Sequence, residues 1–168
     1  ALGCSINDVL LAMATGALRD YLASRGDAVD GLGIRAIVPV NLRPVGKGRE
    51  LGNQFGLVFL DLPIGVEHPL ERLYEVRRHM LALKGSYQPL IVLGLLHAVG
   101  HGPKILQEQI TALLSQNASA VMTNVPGPQH PVYFAGRRIE ELNFWVPQSG
   151  GIGMGVSILS YDGRIQFG

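Results

Sequence analysis

Asn124-Val-Pro-Gly-Pro128 closes the uncharged run Ala118-Ser-Ala-Val-Met-Thr-Asn124 and is the clearest place in the chain for polar side chains held rigidly. Ala120 to Val125 reads as a buried strand. Two prolines without amide donors must break its ladder, so the strand is expected to stop and turn at Asn124. Pro126-Gly127 suits a tight turn with the glycine at positive φ. Thr123 and Asn124 then stand at a polar corner, which is either a site or a loop without chemistry.

Other candidates are weaker. His97 and His101 are four apart, the spacing of a two-histidine metal pair, but Gly100, Gly102 and Pro103 mark a helix end and no H-E-x-x-H glutamate is present. A metal site is therefore not expected, and His68, His79 and His130 show no partner pattern. Cys4 has no histidine or basic cluster beside it in sequence, which favours inert packing over nucleophilic chemistry. Ser149-Gly-Gly-Ile-Gly-Met-Gly155 lacks the Lys-Ser/Thr of a nucleotide loop and leads into a strand. Its glycines fit close approach by a backbone or ligand instead. Asp8 is explained by helix capping, whereas Asn7 is less well explained.

These residues need elements to position them. Ser5-Ile-Asn-Asp8 has the form of a capping box, and Ile6, Val9, Leu10, Met13, Ala17 and Tyr21 recur at helical spacing, which predicts a helix from Ile6 to Arg25 stopped by Gly26. Ile34 to Val40 reads as a strand that Pro39 and Pro44 confine to an edge or a terminus. Lys47-Gly-Arg-Glu50 is an exposed loop, and Phe55 to Leu62 a mostly buried strand. Pro69 opens a helix to about Lys84, with Leu70, Leu73, Val76 and Met80 on one side. Helices follow from Gln88 to Val99 and Pro103 to Gln116, then strands at Ala120 to Val125, Val132 to Phe134 and Ile139 to Val146. Gly155 to Ser160 and Arg164 to Phe167 form a hairpin across Asp162-Gly163, a dipeptide suited to a type I′ turn. Mixed elements without strict alternation predict an α+β fold, a mixed sheet packed by helices, in one domain over residues 1–168.

Composition narrows the function. The chain of 168 residues carries a net charge of +1 with its basic residues dispersed, so no nucleic-acid surface is expected. Charged residues make up only 16%, against roughly 25% in an average soluble domain. Three stretches, 85–103, 109–136 and 142–161, contain no Asp, Glu, Lys or Arg. Beyond core, they suggest a face that meets another domain, a subunit or lipid. One cysteine excludes an internal disulfide and fits a reducing compartment. Leu90 to Val99 is too short to span a bilayer. The start, Ala1-Leu-Gly-Cys4, has no signal-peptide plan and reads as cut from something longer.

Five phrases taken together carry a resemblance: Ser5-Ile-Asn-Asp8, Val38-Pro-Val-Asn-Leu-Arg-Pro44, Leu51-Gly-Asn-Gln-Phe-Gly56, Thr123-Asn-Val-Pro-Gly-Pro128 and Ser157-Ile-Leu-Ser-Tyr-Asp-Gly163. In order and spacing the chain resembles the C-terminal half of the bacterial wax ester synthase/acyl-CoA:diacylglycerol acyltransferase family, over nearly its whole length. The resemblance implies one lobe of a chloramphenicol acetyltransferase-like, two-lobed enzyme with a tunnel between the lobes. It implies acyl-CoA as co-substrate with no bound cofactor, and a fatty alcohol or diacylglycerol as acceptor. The general base belongs to an H-H-x-x-x-D-G motif in the N-terminal lobe. That motif and the family's Pro-Leu-Trp are absent here, so the chain alone is expected to be inactive.

By the same resemblance Asn7 and Asp8 are the family's Asn-Asp pair near the active-site face, and Asn124 heads its Asn-Val-Pro-Gly-Pro motif. Asn7, Asp8, Thr123 and Asn124 are thus expected supporting residues, and the uncharged tracts the lobe interface and acyl channel. The implied setting is cytoplasmic, peripheral to the membrane or to lipid inclusions. Two other functions fit the sequence: a non-catalytic module that binds lipid or a partner, and a lobe serving a different hydroxyl acceptor.

Overall fold

A computed structural model describes residues 2–42, 55–100, 103–147 and 151–168. The loop Lys47 to Glu50, Pro44, the segment Leu51 to Gln54, His101 and the Ser149-Gly150 start of the glycine run lie outside the described residues.

Helix α1 spans Ile6–Ser24. Its capping box is complete: the Asp8 amide donates to Ser5 Oγ at 3.2 Å, and the Ser5 amide to Asp8 Oδ2 at 2.8 Å. Gly26 follows the cap at φ 85°, so the expected stop is in place. The buried face is only in part the one expected from hydropathy: Leu10 is buried and Val9 packs half-buried on the core. Ile6, Met13 and Tyr21 are 70%, 57% and 56% exposed, while Asp8, Leu11, Ala12, Thr15 and Gly16 are buried. The physical reason lies in helix α2, Pro69–Lys84, whose Arg72 lies against Gly16 and donates from Nε to the Ala12 carbonyl at 3.4 Å. A stripe of small and polar residues receives that guanidinium, and hydropathy does not read such a stripe as core. On α2, Leu73, Val76 and Met80 are buried as expected, but Leu70 is exposed.

The chain continues with strands β1 (Ile34–Asn41) and β2 (Phe55–Leu62), helices α2, α3 (Gln88–Gly100) and α4 (Lys104–Gln116), and strand β3 (Ala120–Pro126). Short strands β4 (Tyr133–Phe134) and β5 (Arg137–Arg138) precede β6 (Met154–Tyr161) and β7 (Arg164–Phe167). The main sheet has the order β2-β1-β3-β6-β7, with β1 parallel to β3 and β3 parallel to β6, and antiparallel pairs at both edges. This is the mixed α+β sheet expected.

Alternation places Ala36, Val38, Val58, Leu60, Leu62, Ala120 and Met122 on one face, where they share a core with Leu11 of α1 and Leu73, Val76 and Met80 of α2. Ile37, Leu57, Phe59 and Val121 pack on the other face with Ala118 and Ile152. Strand β2 is an edge, and Gln88 at the start of α3 accepts the outward Phe59 amide at 3.1 Å, which covers one donor of that edge.

Three expectations need correction, the first only in part. Strand β1, expected to have its prolines at an edge or a terminus, is interior, with Pro39 close to its C-terminal end at Asn41. Pro39 is tolerated because β1 pairs with β3 only at Ala36↔Ala120 and Ile37↔Val121, so the strand has a single partner, β2, by the time it reaches the proline. Strand β3 does not stop at Asn124 but runs on to Pro126, paired with Ser160. The Gly127 amide donates to the Ser160 carbonyl at 3.0 Å, so the position of Pro126, one residue earlier, faces the side where β1 has already parted. Gly127 does not adopt positive φ. It is small because a Cβ there would sit 2.4 Å from the Ser160 carbonyl oxygen.

Ile139 to Val146 is not a strand. The Ile139 amide donates to the Val132 carbonyl at 2.8 Å, and side chains take three further backbone groups: Gln166 Oε1 accepts the Leu142 amide at 3.0 Å, Tyr161 Oη donates to the Ile139 carbonyl at 2.7 Å, and Ser157 Oγ donates to the Phe144 carbonyl. Before it, β4 and β5 form a small hairpin turned at Ala135 (φ 49°) and Gly136 (φ 78°). The final hairpin has the expected turn, with Asp162 and Gly163 at φ 47° and 74°, as a type I′ turn requires.

Candidate functional site

Strands β1 and β3 part after Ile37 and Val121, yet each keeps its outer partner, β1 to Asn41↔Phe55 and β3 to Pro126↔Ser160. The sheet therefore opens into a cleft of about 440 Å³. Val38 to Leu42 form one wall and Met122, Thr123 and Asn124 the other; Leu11 of α1 and Met80 and Leu83 of α2 line it as well. Most of the lining is aliphatic. The volume falls within the roughly 300–1,000 Å³ of small-molecule sites. Asn41, Lys84, Thr123, Asn7 and Asn124 supply the polar groups.

Two distant segments meet at this cleft. The capping box fixes the first turn of α1, which presents Asn7 outward while Asp8, one residue on, turns into the protein. Strand β3 carries Asn124 to the same place, and Asn124 Nδ2 donates to Asn7 Oδ1 at 2.6 Å across 117 residues of sequence. The bond leaves the Asn7 amide and one hydrogen of the Asn124 amide as donors. Thr123 is half-buried and lines the cleft beside them.

The four expected site residues thus separate into two groups. Asn7, Thr123 and Asn124 line the cleft together. Asp8 does not. It is 4% exposed, caps Ser5 with Oδ2, and its Oδ1 has no hydrogen-bond partner among the described residues. Its work is to hold the turn that presents Asn7.

Of the remaining candidates, the described ones are not among the residues that line the cleft. His97 is exposed on α3, and among the described residues no group of three or more His, Cys, Asp or Glu is placed to hold a metal. His79 does have partners: Nδ1 lies 2.6 Å from the Asp61 carbonyl, which sequence spacing does not show, and Nε2 3.4 Å from Glu75, one helical turn before it. Cys4 is half-buried against the core, with Sγ 3.4 Å from the Leu2 carbonyl. Among the described residues nothing stands within 4 Å of where a Cβ on Gly151 or Gly153 would be. Sequence reasoning missed Lys84 at the cleft, and nothing in its helical position marks it out. Asn41 stands in one of the quoted phrases but was given no role.

The uncharged tracts reach the surface. Tyr87, Leu90 and Ile91 at the start of α3, Phe134 on the small hairpin and Trp145 are all more than half exposed. None of the helices among the described residues is long and apolar enough to cross a membrane.

Comparison with solved structures places this fold beside an acyltransferase. It matches the wax ester synthase/diacylglycerol acyltransferase from Marinobacter aquaeolei VT8 with a TM-score of 0.62 and 23% identity, over 99% of this chain and 37% of that one. The sequence pattern described as the WS/DGAT C-terminal domain matches residues 51–168, and the chain belongs to that family. Among curated relatives it is 30% identical over 168 residues to the "Probable diacyglycerol O-acyltransferase tgs1" of Mycobacterium tuberculosis, covering 98% of this chain and 36% of the relative. It is 28% identical over 171 residues to the "O-acyltransferase WSD" of Acinetobacter baylyi, covering all of this chain and 37% of that protein. The chain spans about a third of the length of the curated relatives it matches.

Proposed function

We propose that this chain is the C-terminal part of an O-acyltransferase that moves a fatty acyl group from acyl-CoA to a fatty alcohol or diacylglycerol. The observation that carries the reading is the Asn7–Asn124 pair standing at an aliphatic cleft made by two parting strands. An acyl chain needs such apolar walls, and a thioester undergoing attack needs hydrogen-bond donors at its carbonyl. The names of the relatives agree with this chemistry.

In the proposed reaction the acceptor hydroxyl oxygen attacks the thioester carbonyl carbon. The new C–O bond forms, the C–S bond breaks, and coenzyme A leaves as a thiol after receiving the proton taken from the hydroxyl. By the family resemblance the base that moves this proton is a histidine of the partner N-terminal lobe; among the described residues no histidine or carboxylate lines the cleft. Asn7 and Asn124 stabilise the oxygen that gains charge, an effect worth roughly a hundredfold to a thousandfold in rate per donor. Thr123 is a third polar contact, and the exposed apolar residues of α3 and of the 133–145 region pack against the partner lobe or a lipid surface. The family resemblance implies a cytoplasmic setting, peripheral to the membrane or to lipid inclusions.

The test is an assay of the intact protein. Acyl-CoA is supplied with a fatty alcohol, with diacylglycerol or with a short polar alcohol, and free thiol and ester are measured. Ester formation that depends on one of the two hydrophobic acceptors supports the reading. Release of neither product sinks it, and a preference for the short polar alcohol changes the acceptor class.

A further inference from the structure

Asn7, Asn124 and Ile158 line two cavities at once. One is the aliphatic cleft. The other, about 450 Å³, lies on the far side of the same three residues and is bounded by Gln129, Ser160 and Arg164 together with Leu10, Pro126 and Ile165. Ile158 stands directly beside Asn124 in the β3–β6 register and is 1% exposed, so it forms a fixed base beneath the asparagine pair. Above that base the Asn124–Asn7 hydrogen bond stands between the two cavities, which share both residues as lining.

The two cavities differ in chemistry. Val38, Val40, Leu42, Val58 and Met122 give the cleft a hydrocarbon lining. In the second cavity, Gln129 Nε2 donates to Ser160 Oγ at 3.1 Å and to the Gly127 carbonyl at 2.8 Å, which sets a polar patch opposite the asparagines. A hydroxyl or phosphate end gains from that patch, while Leu10, Pro126 and Ile165 leave the rest of the cavity hospitable to hydrocarbon.

We propose that the Asn7–Asn124 pair, which meets the acyl carbonyl, is a septum that closes the carbonyl end of the hydrocarbon subsite and so limits the acyl length it accepts, the second cavity taking the polar end of a chain only when the septum is opened. The inference rests on the fatty acyl reading above. Removing either side chain breaks the bond and joins the two cavities, so a longer chain can then run from one into the other. Because either removal breaks the same bond, the single and double variants share one phenotype.

The experiment uses the intact protein and equilibrium binding, so it does not depend on turnover. Saturated fatty acids of even length from eight to eighteen carbons displace a fluorescent fatty acid, and affinity is plotted against length. In the unaltered protein affinity rises roughly threefold to fourfold per methylene and then levels off where the cleft is full. In Asn7→Ala, Asn124→Ala and the double variant the rise continues to longer chains, by the same number of carbons in all three. Asn124→Ser, a smaller change, serves where an alanine variant does not fold, and circular dichroism shows which variants are folded. A plateau at the same length in folded variants overturns the septum, as does the absence of any plateau in the unaltered protein. If the plateau moves but the intact protein transfers no acyl group, the acyltransferase reading fails and the septum stands. If transfer occurs and the plateau does not move, the septum alone fails.

Discussion

The Arg72 guanidinium lies against Gly16, so close that a Cβ on the glycine would stand 2.5 Å from Nη2. Arg72 Nη1 donates to the carbonyls of Val66 and Glu67 at 2.9 and 3.0 Å, so one buried side chain ties α1 to the turn that leads into α2. Glycine inside a helix ordinarily costs roughly 0.5–1 kcal/mol relative to alanine. Here Gly16→Ala is expected to destabilise, because the guanidinium is displaced from its carbonyl partners. Arg72→Met is expected to cost about 3 kcal/mol through the lost bonds to the carbonyls of half-buried Val66 and of Glu67. In the Arg72→Met background Gly16→Ala becomes stabilising, and a urea-denaturation double-mutant cycle reads that change of sign.

Gly127 is required for space and not for conformation. Gly127→Ala forces a Cβ onto the Ser160 carbonyl, 2.4 Å away, and since that atom is backbone the strands themselves must shift. The expected loss is about 2 kcal/mol, in the range of overpacked sites. Pro126→Ala, one residue earlier on the unpaired side of β3, is expected to cost less than about 1 kcal/mol. Chemical denaturation of the two variants side by side checks the contrast.

The capping box predicts a graded series. Ser5→Ala loses one accepted amide and is expected to cost about 1 kcal/mol. Asp8→Ala also empties a buried position and is expected to cost more. Both loosen the turn that presents Asn7, so each lowers acyl transfer in the intact protein by less than removal of Asn7 itself. Thermal denaturation and turnover, measured together, rank the three variants.

Much of this fold is legible in local sequence. The capping box, Pro69, the run Phe55 to Leu62 and Asp162-Gly163 each state a boundary through chemistry that acts within a few residues, and the structure places elements there. What local sequence does not state is which partner each face meets. The buried side of α1 follows from Arg72, some 60 residues away, and the interior place of β1 from a pairing with β3 that lasts only two residues. The segment after Ile139 reads as a strand by composition, but three of its backbone groups are claimed by the side chains of Gln166, Ser157 and Tyr161. For the site, family phrases pointed to Asn7 and Asn124 separately. Neither their mutual bond nor the cleft beside it can be read from spacing, since both arise where two strands part.

The most direct measurement of the proposed role is the rate of thiol release from acyl-CoA by the intact protein carrying Asn7→Ala or Asn124→Ala, with thermal stability measured on the same samples. A roughly hundredfold loss of turnover with little change in stability is the predicted result. Unchanged turnover in folded variants would contradict it and leave the asparagine pair with a structural task alone.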